Sequence, residues 1–217
     1  MTRNIAISLF LLFVLTGCGV DFLGILNSGG GNPKPYTIYD RTPGVGTIKQ
    51  EIYEVSNQEQ SFKKWNIELI DMLDANISAP LQLAEIIPLT VGNRWIYVLE
   101  SFDESGTSLG IFDDTTTVDR DSLLNGETYY ILKRRGLPFQ LAINREDGYY
   151  VRIASLDTLA NIIALDEEYL AAKFPTKKGD KFPNEAGAES EVLSTKNSIS
   201  VPFGVFKTIK YIKRFID

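Results

Sequence analysis

The chain has 217 residues, of which 44% are hydrophobic and 11% aromatic, a composition that is ordinary for a globular protein and excludes disorder throughout. Its formal net charge of −6 argues against nucleic acid as a partner, because that binding depends on neutralising phosphates. The chain has no histidine and one cysteine, which excludes an intrachain disulfide, Ser-His-Asp and Cys-His catalytic pairs, and ordinary zinc or copper sites.

A lipoprotein signal peptide is predicted at residues 1–17. Arg3 supplies the positive charge, and residues 5–14 form an apolar core that is too short to span a bilayer. The lipobox follows directly and consists of Leu15, Thr16, Gly17 and Cys18. This pattern resembles the lipoprotein signal family, which implies a diacylglycerol on Cys18 and an acylated new N-terminus. The alternative is a free thiol behind an ordinary secretory signal.

The remainder is predicted to be a tether followed by one domain. Residues 18–35 include a run rich in glycine, asparagine and proline, which is typical of a flexible linker, and residues 36–217 form a single β-rich domain. Gly19 stands where an aspartate retains lipoproteins at the inner membrane in the enterobacterial sorting rule that this resembles. We therefore expect an extracytoplasmic protein, lipid-anchored to the cell envelope, with the outer membrane favoured.

Most of the domain is predicted to be short antiparallel strands, because β-branched and aromatic residues cluster between turn residues. Residues 47–55 and 94–102 are examples. Asn125-Gly126 and Asp147-Gly148 each stand between two such runs and predict hairpins with type I′ turns.

Three segments raise the question of helices. Residues 166–174 combine a capping aspartate and two glutamates with a stop at Pro175, which predicts a helix, and residues 156–165 predict a possible first helical segment. Residues 62–77 fit a strand and a helix equally well, and we favour a strand for the first half. The predicted fold class is mainly β, with α+β as the alternative: a curved antiparallel sheet or half-barrel with one or two packed helices.

One pattern occurs twice: proline, three residues, glycine, asparagine or aspartate, a basic residue and an aromatic residue. Its fixed positions are Pro88, Gly92, Asn93 and Trp95 in the first copy, and Pro175, Gly179, Asp180 and Phe182 in the second. Proline, glycine and Asn or Asp favour a tight turn, and the aromatic ring favours burial. Both copies therefore predict a structural turn into a strand.

The first copy extends to Pro-Leu-x-x-Gly-Asn-x-Trp-x-Tyr at 88–97. Together with 126–130, 147–152, 174–180 and 201–207, it resembles an uncharacterised family of secreted bacterial lipoproteins. The resemblance covers about residues 86–213 and implies a strand-rich antiparallel module without transferable catalytic residues. Such modules continue into a strand that opens on Gly-Val-Gly, which here stands near the N-terminus. We therefore expect a circular permutation in which residues 46–55 pair beside residues 203–216.

Two sets of charged residues are candidates for chemistry. The acidic set includes Asp113, Asp114, Asp119 and Asp121, and it favours either solvated loop charges or, as a functional alternative, a calcium site or a glycosidase carboxylate pair. The basic set favours either exposed strand faces or contacts with anionic headgroups, and it consists of Lys133, Arg134, Arg135, Lys177, Lys178, Lys207, Lys210, Lys213 and Arg214.

The sequence thus predicts an anchored lipoprotein with a binding or envelope-organising role and without catalysis, metal or cofactor. Its partners are the membrane, through Cys18, and a lipophilic ligand or an envelope protein, because a curved sheet covered by a helix can leave an apolar cavity. The alternatives are a carboxylate-dependent envelope glycan hydrolase and a purely structural module that docks a protein at the sheet edge formed by residues 203–216.

Overall fold

The computed structural model describes residues 33–73, 85–156, 162–164, 167–185 and 187–216, and this part of the chain contains strands and no helix. The strands are β1 (Tyr36–Thr42), β2 (Gly46–Val55), β3 (Ser61–Leu73), β4 (Arg94–Phe102), β5 (Ser108–Leu124), β6 (Glu127–Arg134), β7 (Leu137–Arg145), β8 (Gly148–Leu156), β9 (Ile162–Ala164), β10 (Tyr169–Lys173), β11 (Lys181–Pro183), β12 (Ala188–Val201) and β13 (Gly204–Phe215).

Twelve strands form one antiparallel sheet in the order β10-β8-β7-β6-β5-β4-β3-β2-β1-β13-β12-β11, and β9 pairs with β8. The first and last strands of the chain pair with each other, from Tyr36 opposite Arg214 to Arg41 opposite Ile209. The sheet curls until its edge strands β10 and β11 approach each other, which nearly closes a barrel. We call the gap between these two strands the seam. The prediction of a mainly β fold with a curved antiparallel sheet is confirmed.

The predicted hairpins are present. Asn125 and Gly126 join β5 to β6 with φ angles of 55° and 84°, as a type I′ turn requires. The second hairpin joins β7 to β8, but Arg145 pairs with Gly148, so the two central residues are Glu146 and Asp147. Neither central residue has a positive φ, and the predicted type I′ geometry of this turn is therefore wrong.

The helix predicted at residues 166–174 is also wrong. Residues 169–173 form β10, which pairs with β8 through a β-bulge between Leu170 and Ala172. Tyr169 and Ala172 are buried in the barrel core, so pairing and burial override the local helical preference. The acidic residue Glu168 pairs with Arg145 rather than standing in the first turn of a helix.

The two ambiguous segments are largely extended. The favoured strand in the first half of residues 62–77 is confirmed, since β3 runs through Leu73, and residues 74–77 lie outside the described residues. Within residues 156–165, Leu156 ends β8 and Ile162–Ala164 forms β9, which is a correction to the helical prediction. Residues 157–161 and 165 lie outside the described part.

The expected pairing of residues 46–55 with residues 203–216 is wrong. β1 lies between β2 and β13, pairing with β2 on one side and with β13 on the other. The N-terminal strands do close onto the C-terminal strand, but through one more strand than the permutation hypothesis requires.

The barrel core is built from the side chains that face inward. Its largest apolar cluster includes Ile48, Leu69, Trp95, Val118, Val151, Val192 and Tyr211. Ile86 and Leu89, from the connection between β3 and β4, pack into the same cluster and are almost fully buried. Backbone and side-chain hydrogen bonds hold this connection against the strands, including one from Asn144 Nδ2 to the carbonyl of Ile87 (2.8 Å).

Candidate functional site

The predicted anchor lies outside the described residues. This holds for Cys18 and for the other lipobox residues, Leu15, Thr16 and Gly17, so lipid attachment stays a prediction. Within the described part of the chain, no helix is long and apolar enough to cross a membrane.

The two copies of the repeated motif form the same turn. In each copy the glycine N–H donates to a valine carbonyl of the next strand, and that valine N–H donates back to the carbonyl of the asparagine or aspartate. The bonds are Gly92 to Val118 (2.9 Å), Val118 to Asn93 (2.9 Å), Gly179 to Val192 (2.8 Å) and Val192 to Asp180 (2.9 Å).

The other fixed residues of the motif complete the turn around these two backbone hydrogen bonds. Gly92 and Gly179 have φ angles of +95° and +86°, which explains the glycine in each copy. Trp95 and Phe182 are buried, because each turn places the ring that follows it in the core. Pro88 accepts a hydrogen bond from the Asn93 side chain, and Pro175 follows Phe174 through a cis peptide bond.

The candidate acidic residues do not come together. Asp113 and Asp121 are exposed, and Asp119 pairs with Lys133 (2.8 Å) and Arg120 (3.1 Å) on the surface. Asp114 alone is buried, on the opposite face of β5 from Asp113 because successive strand residues alternate. Among the described residues, no group of three or more acidic, histidine or cysteine side chains is arranged to hold a metal ion.

Asp114 belongs to a charged cluster inside the barrel. Its carboxylate pairs with Arg134 of β6, which is also buried, and with Arg135 (3.2 Å) in the following turn. Burial lowers the pKa of the Arg134 guanidinium to about 10, and attraction to Asp114 opposes this shift. Nearby, Tyr97 donates to the carbonyl of Thr47 (3.3 Å), and burial raises the pKa of its hydroxyl. Asp114 therefore neutralises a structural arginine.

Arg41 of β1 is a second buried arginine with different surroundings. Its side chain is only 3% exposed and lies over the rings of Tyr39 (4.8 Å) and Tyr211 (5.8 Å). Its Nη1 donates to the carbonyl of Ala171 (2.8 Å) in β10, across the barrel interior. Within the described residues, Nε has no hydrogen-bond partner and no carboxylate forms an ion pair with this guanidinium.

A cavity of about 60 Å³ lies inside the barrel beside Arg41. Its wall combines polar and apolar side chains from strands β1 to β8 and from the connection that carries Ile87. The residues that line it are Arg41, Gly46, Thr47, Gln50, Ile67, Ile87, Trp95, Tyr97, Thr116, Leu132, Phe139, Gln140 and Tyr149. At roughly 10–15 Å³ for each water-sized group, it has room for about four to six of them.

The seam is held by side chains where the strand ladder is interrupted. Tyr211 donates its hydroxyl to the carbonyl of Lys173 (2.8 Å), and Arg41 bonds the carbonyl of Ala171, both in β10. Lys173 in turn pairs with Asp180 (3.3 Å), just before β11. These contacts bond the edge strand to the rest of the barrel.

Two predictions about charged residues and edges need correction. Lys213, expected on an exposed strand face or near headgroups, is buried inside the barrel and pairs with Glu185 (2.6 Å). In the segment 203–216, expected to be a sheet edge, residues 209–214 of β13 are paired on both sides, by β1 and β12, whereas residues 204–208 pair with β12 alone. The strands at the two ends of the sheet order are β10 and β11.

Sequence reasoning missed the interior site. Asp40 and Arg41 are adjacent opposite charges beside a Pro-Gly turn, and this pattern is typical of a solvated pair. Both are buried, on opposite faces of β1, where Asp40 accepts hydrogen bonds from Asn197 (2.7 Å) and Thr208 (3.0 Å). The only available signal was the alternation that places Arg41 on the same face as Tyr39.

Comparison with protein-family models, with curated proteins and with solved structures found no match to this chain.

Proposed function

We propose that the protein is an extracytoplasmic lipoprotein, anchored to the cell envelope through Cys18, that binds a small polar molecule inside its barrel. The observation that carries the binding part is the interior cavity whose wall includes Arg41, Gln50 and Gln140. Arg41 is buried in this wall and its Nε has no hydrogen-bond partner among the described residues, although buried polar groups are costly unless they are bonded. Polar side chains around a cavity are typical of a ligand site.

The size of the cavity narrows the class of ligand. Pockets for drug-sized molecules enclose roughly 300 Å³ or more, whereas this cavity measures about 60 Å³. The lining therefore supports a molecule of a few heavy atoms, or the head group of a larger one, in preference to the wholly lipophilic ligand that the sequence suggested.

The two alternatives draw less support from the geometry. A glycan hydrolase needs two carboxyl groups flanking the scissile bond, but Asp113 and Asp114 lie on opposite faces of β5. Docking of a partner strand needs an unpaired edge, but residues 209–214 of the expected edge are paired on both sides, and residues 204–208 leave one side of β13 unpaired.

Native mass spectrometry of the full chain, released from membranes in mild detergent, tests the binding proposal. The matched variants are Thr116→Leu, which fills the cavity, and Thr117→Leu, at the next position on the other face of β5. We expect a small molecule bound in a 1:1 ratio to the wild type and to Thr117→Leu, and its loss from Thr116→Leu. An adduct that persists in Thr116→Leu, or a wild type that retains none and takes up none from a cell extract, contradicts the proposal.

Mass analysis of the N-terminal peptide tests the anchor. The proposal predicts a mature chain that begins at Cys18 and carries a diacylglycerol and an N-acyl chain. Cleavage at another residue, or an unmodified cysteine, contradicts this part alone.

A further inference from the structure

Arg41 is a cation that the described part of the protein does not neutralise. Its guanidinium carries five N–H donors, and the hydrogen bond to Ala171 uses one of them. Placing an ionised group inside a protein without a counter-charge is costly, so buried charges are normally paired. Contacts with the rings of Tyr39 and Tyr211 compensate part of this cost but supply no acceptor in the plane of the guanidinium.

The charges nearest the cavity sum to a positive interior. Tyr97 lies within electrostatic range of Arg41, Asp114 and Arg134. Asp114 already pairs with Arg134 and Arg135, so it does not neutralise Arg41 as well. One negative charge would neutralise Arg41.

The cavity beside Arg41 supplies the space for that charge. Its volume of about 60 Å³ has room for roughly four to six water-sized groups, which is enough for a molecule as small as acetate. A planar guanidinium binds a carboxylate through two parallel hydrogen bonds, a geometry that a lysine or a spherical anion does not reproduce. Thr116 adds a hydroxyl group to the same wall, and Ile67 and Leu132 add an apolar side.

From the buried cation and the adjoining cavity, we infer that the barrel binds a small monocarboxylate, with its carboxyl group on Arg41 and its short apolar part against the interior wall. This inference rests on the proposed function and names the ligand class of the same site. Bound carboxylate would also stabilise the fold, because it binds the native state alone.

Thermal unfolding of the full chain in neutral detergent, followed by circular dichroism, tests the inference with sodium acetate as the probe. Sodium gluconate at equal ionic strength is the size control, because that carboxylate is too large for the cavity, and sodium chloride is the control for a small anion without a carboxyl group. We expect a saturable rise in Tm with acetate, no rise with gluconate, and a much weaker response to chloride.

Three variants distinguish the role of the Arg41 guanidinium in acetate binding from its role in holding β10 at the seam. Arg41→Met removes the charge, Arg41→Lys keeps the charge without the planar fork, and Tyr211→Phe removes the other side-chain bond to β10 while it leaves Arg41 in place. We expect the acetate response to vanish in Arg41→Met, to need at least about tenfold more acetate in Arg41→Lys, and to remain in Tyr211→Phe.

Equal shifts with all three salts, or an unchanged acetate response in both Arg41 variants, would overturn the inference. A saturable response to chloride as strong as that to acetate would overturn the carboxylate assignment. If native mass spectrometry finds a bound molecule that Arg41→Met still retains, the proposed function stands and this inference fails. If the wild type binds nothing in either experiment, both the proposed function and this inference are wrong.

Discussion

Two regions inside the barrel each contain a buried arginine, and the two arginines differ in whether a carboxylate neutralises them. In the wall formed by β5 and β6 the strand ladder is continuous, and Arg134 pairs with Asp114. Beside the seam the ladder is interrupted, and Arg41 bonds a backbone carbonyl of β10 without a carboxylate among the described residues. In the β5–β6 wall, Asp114 thus neutralises Arg134, whereas beside the seam Arg41 is a cation without a counter-charge next to a cavity. This contrast separates a structural arginine from a candidate ligand-binding arginine.

The largest effect is expected in the wall. Asp114→Asn removes the counter-charge of the buried Arg134, and breaking a buried pair costs roughly 3–5 kcal/mol of the free energy of unfolding. Asp113→Asn, at the neighbouring exposed position, should change it by less than about 0.5 kcal/mol. Denaturant unfolding of the two variants measures both values. Similar losses of unfolding free energy in Asp114→Asn and Asp113→Asn would mean that Asp114 does not neutralise Arg134.

A second change tests how β10 is held at the seam. A Cβ on residue 148 would overlap the carbonyl oxygen of Ala172 and crowd Leu170, at a φ of +155°. Gly148→Ala should therefore cost roughly 3 kcal/mol through overpacking and backbone strain. Gly126→Ala is the control: its φ is +84°, its Cβ meets nothing within 4 Å, and it should cost about 1 kcal/mol. Equal costs would show that β10 does not lie against β8 as described.

The side-chain bond across the seam should contribute less. Tyr211→Phe removes the donor to the carbonyl of Lys173 and should lower the free energy of unfolding by about 1–2 kcal/mol. Tyr130→Phe removes a hydroxyl that has no hydrogen bond among the described residues, and we expect less than about 0.5 kcal/mol. Amide exchange of β10 should accelerate in the first variant alone. Unchanged exchange there would argue against a side-chain closure of the seam.

The smallest expected effect is the pH dependence of the stability contribution of Asp40, on the outer face of β1. Burial raises the pKa of the Asp40 carboxyl, while Lys210 and the hydrogen bonds from Asn197 and Thr208 oppose the shift. A carboxyl whose pKa is higher in the folded state loses stabilising effect as the pH rises from its unfolded pKa through its folded pKa. The stability cost of Asp40→Asn should therefore be smaller at pH 7 than at pH 4. A larger cost at pH 7 would reverse the sign of the shift.

Much of the fold could be predicted from local patterns. The Asn125-Gly126 hairpin follows from turn chemistry, and residues 47–55 and 94–102 follow from β-branched and aromatic clusters. β10 could not be predicted, because a segment with helical local preference becomes a strand by pairing with β8.

The candidate site could not be predicted from single residues. Lys213 stands among apolar and aromatic residues of the sequence and Arg41 beside polar ones, but charged residues are usually exposed in either setting. Whether a charged residue faces the interior depends on strand register and on bulges, such as the one between Asp40 and Arg41. The absence of histidine excluded several chemistries but did not indicate where a ligand would lie.

The contrast between wall and seam is tested most directly by replacing each arginine with methionine in a buffer free of small carboxylates and chloride. The account predicts that Arg134→Met lowers the free energy of unfolding by roughly 3–5 kcal/mol, because Asp114 is left without its buried partner. It predicts that Arg41→Met stays within about 1 kcal/mol of the wild type, since loss of the Ala171 hydrogen bond is offset by removal of an unneutralised cation. A loss in Arg41→Met as large as that in Arg134→Met would contradict the account.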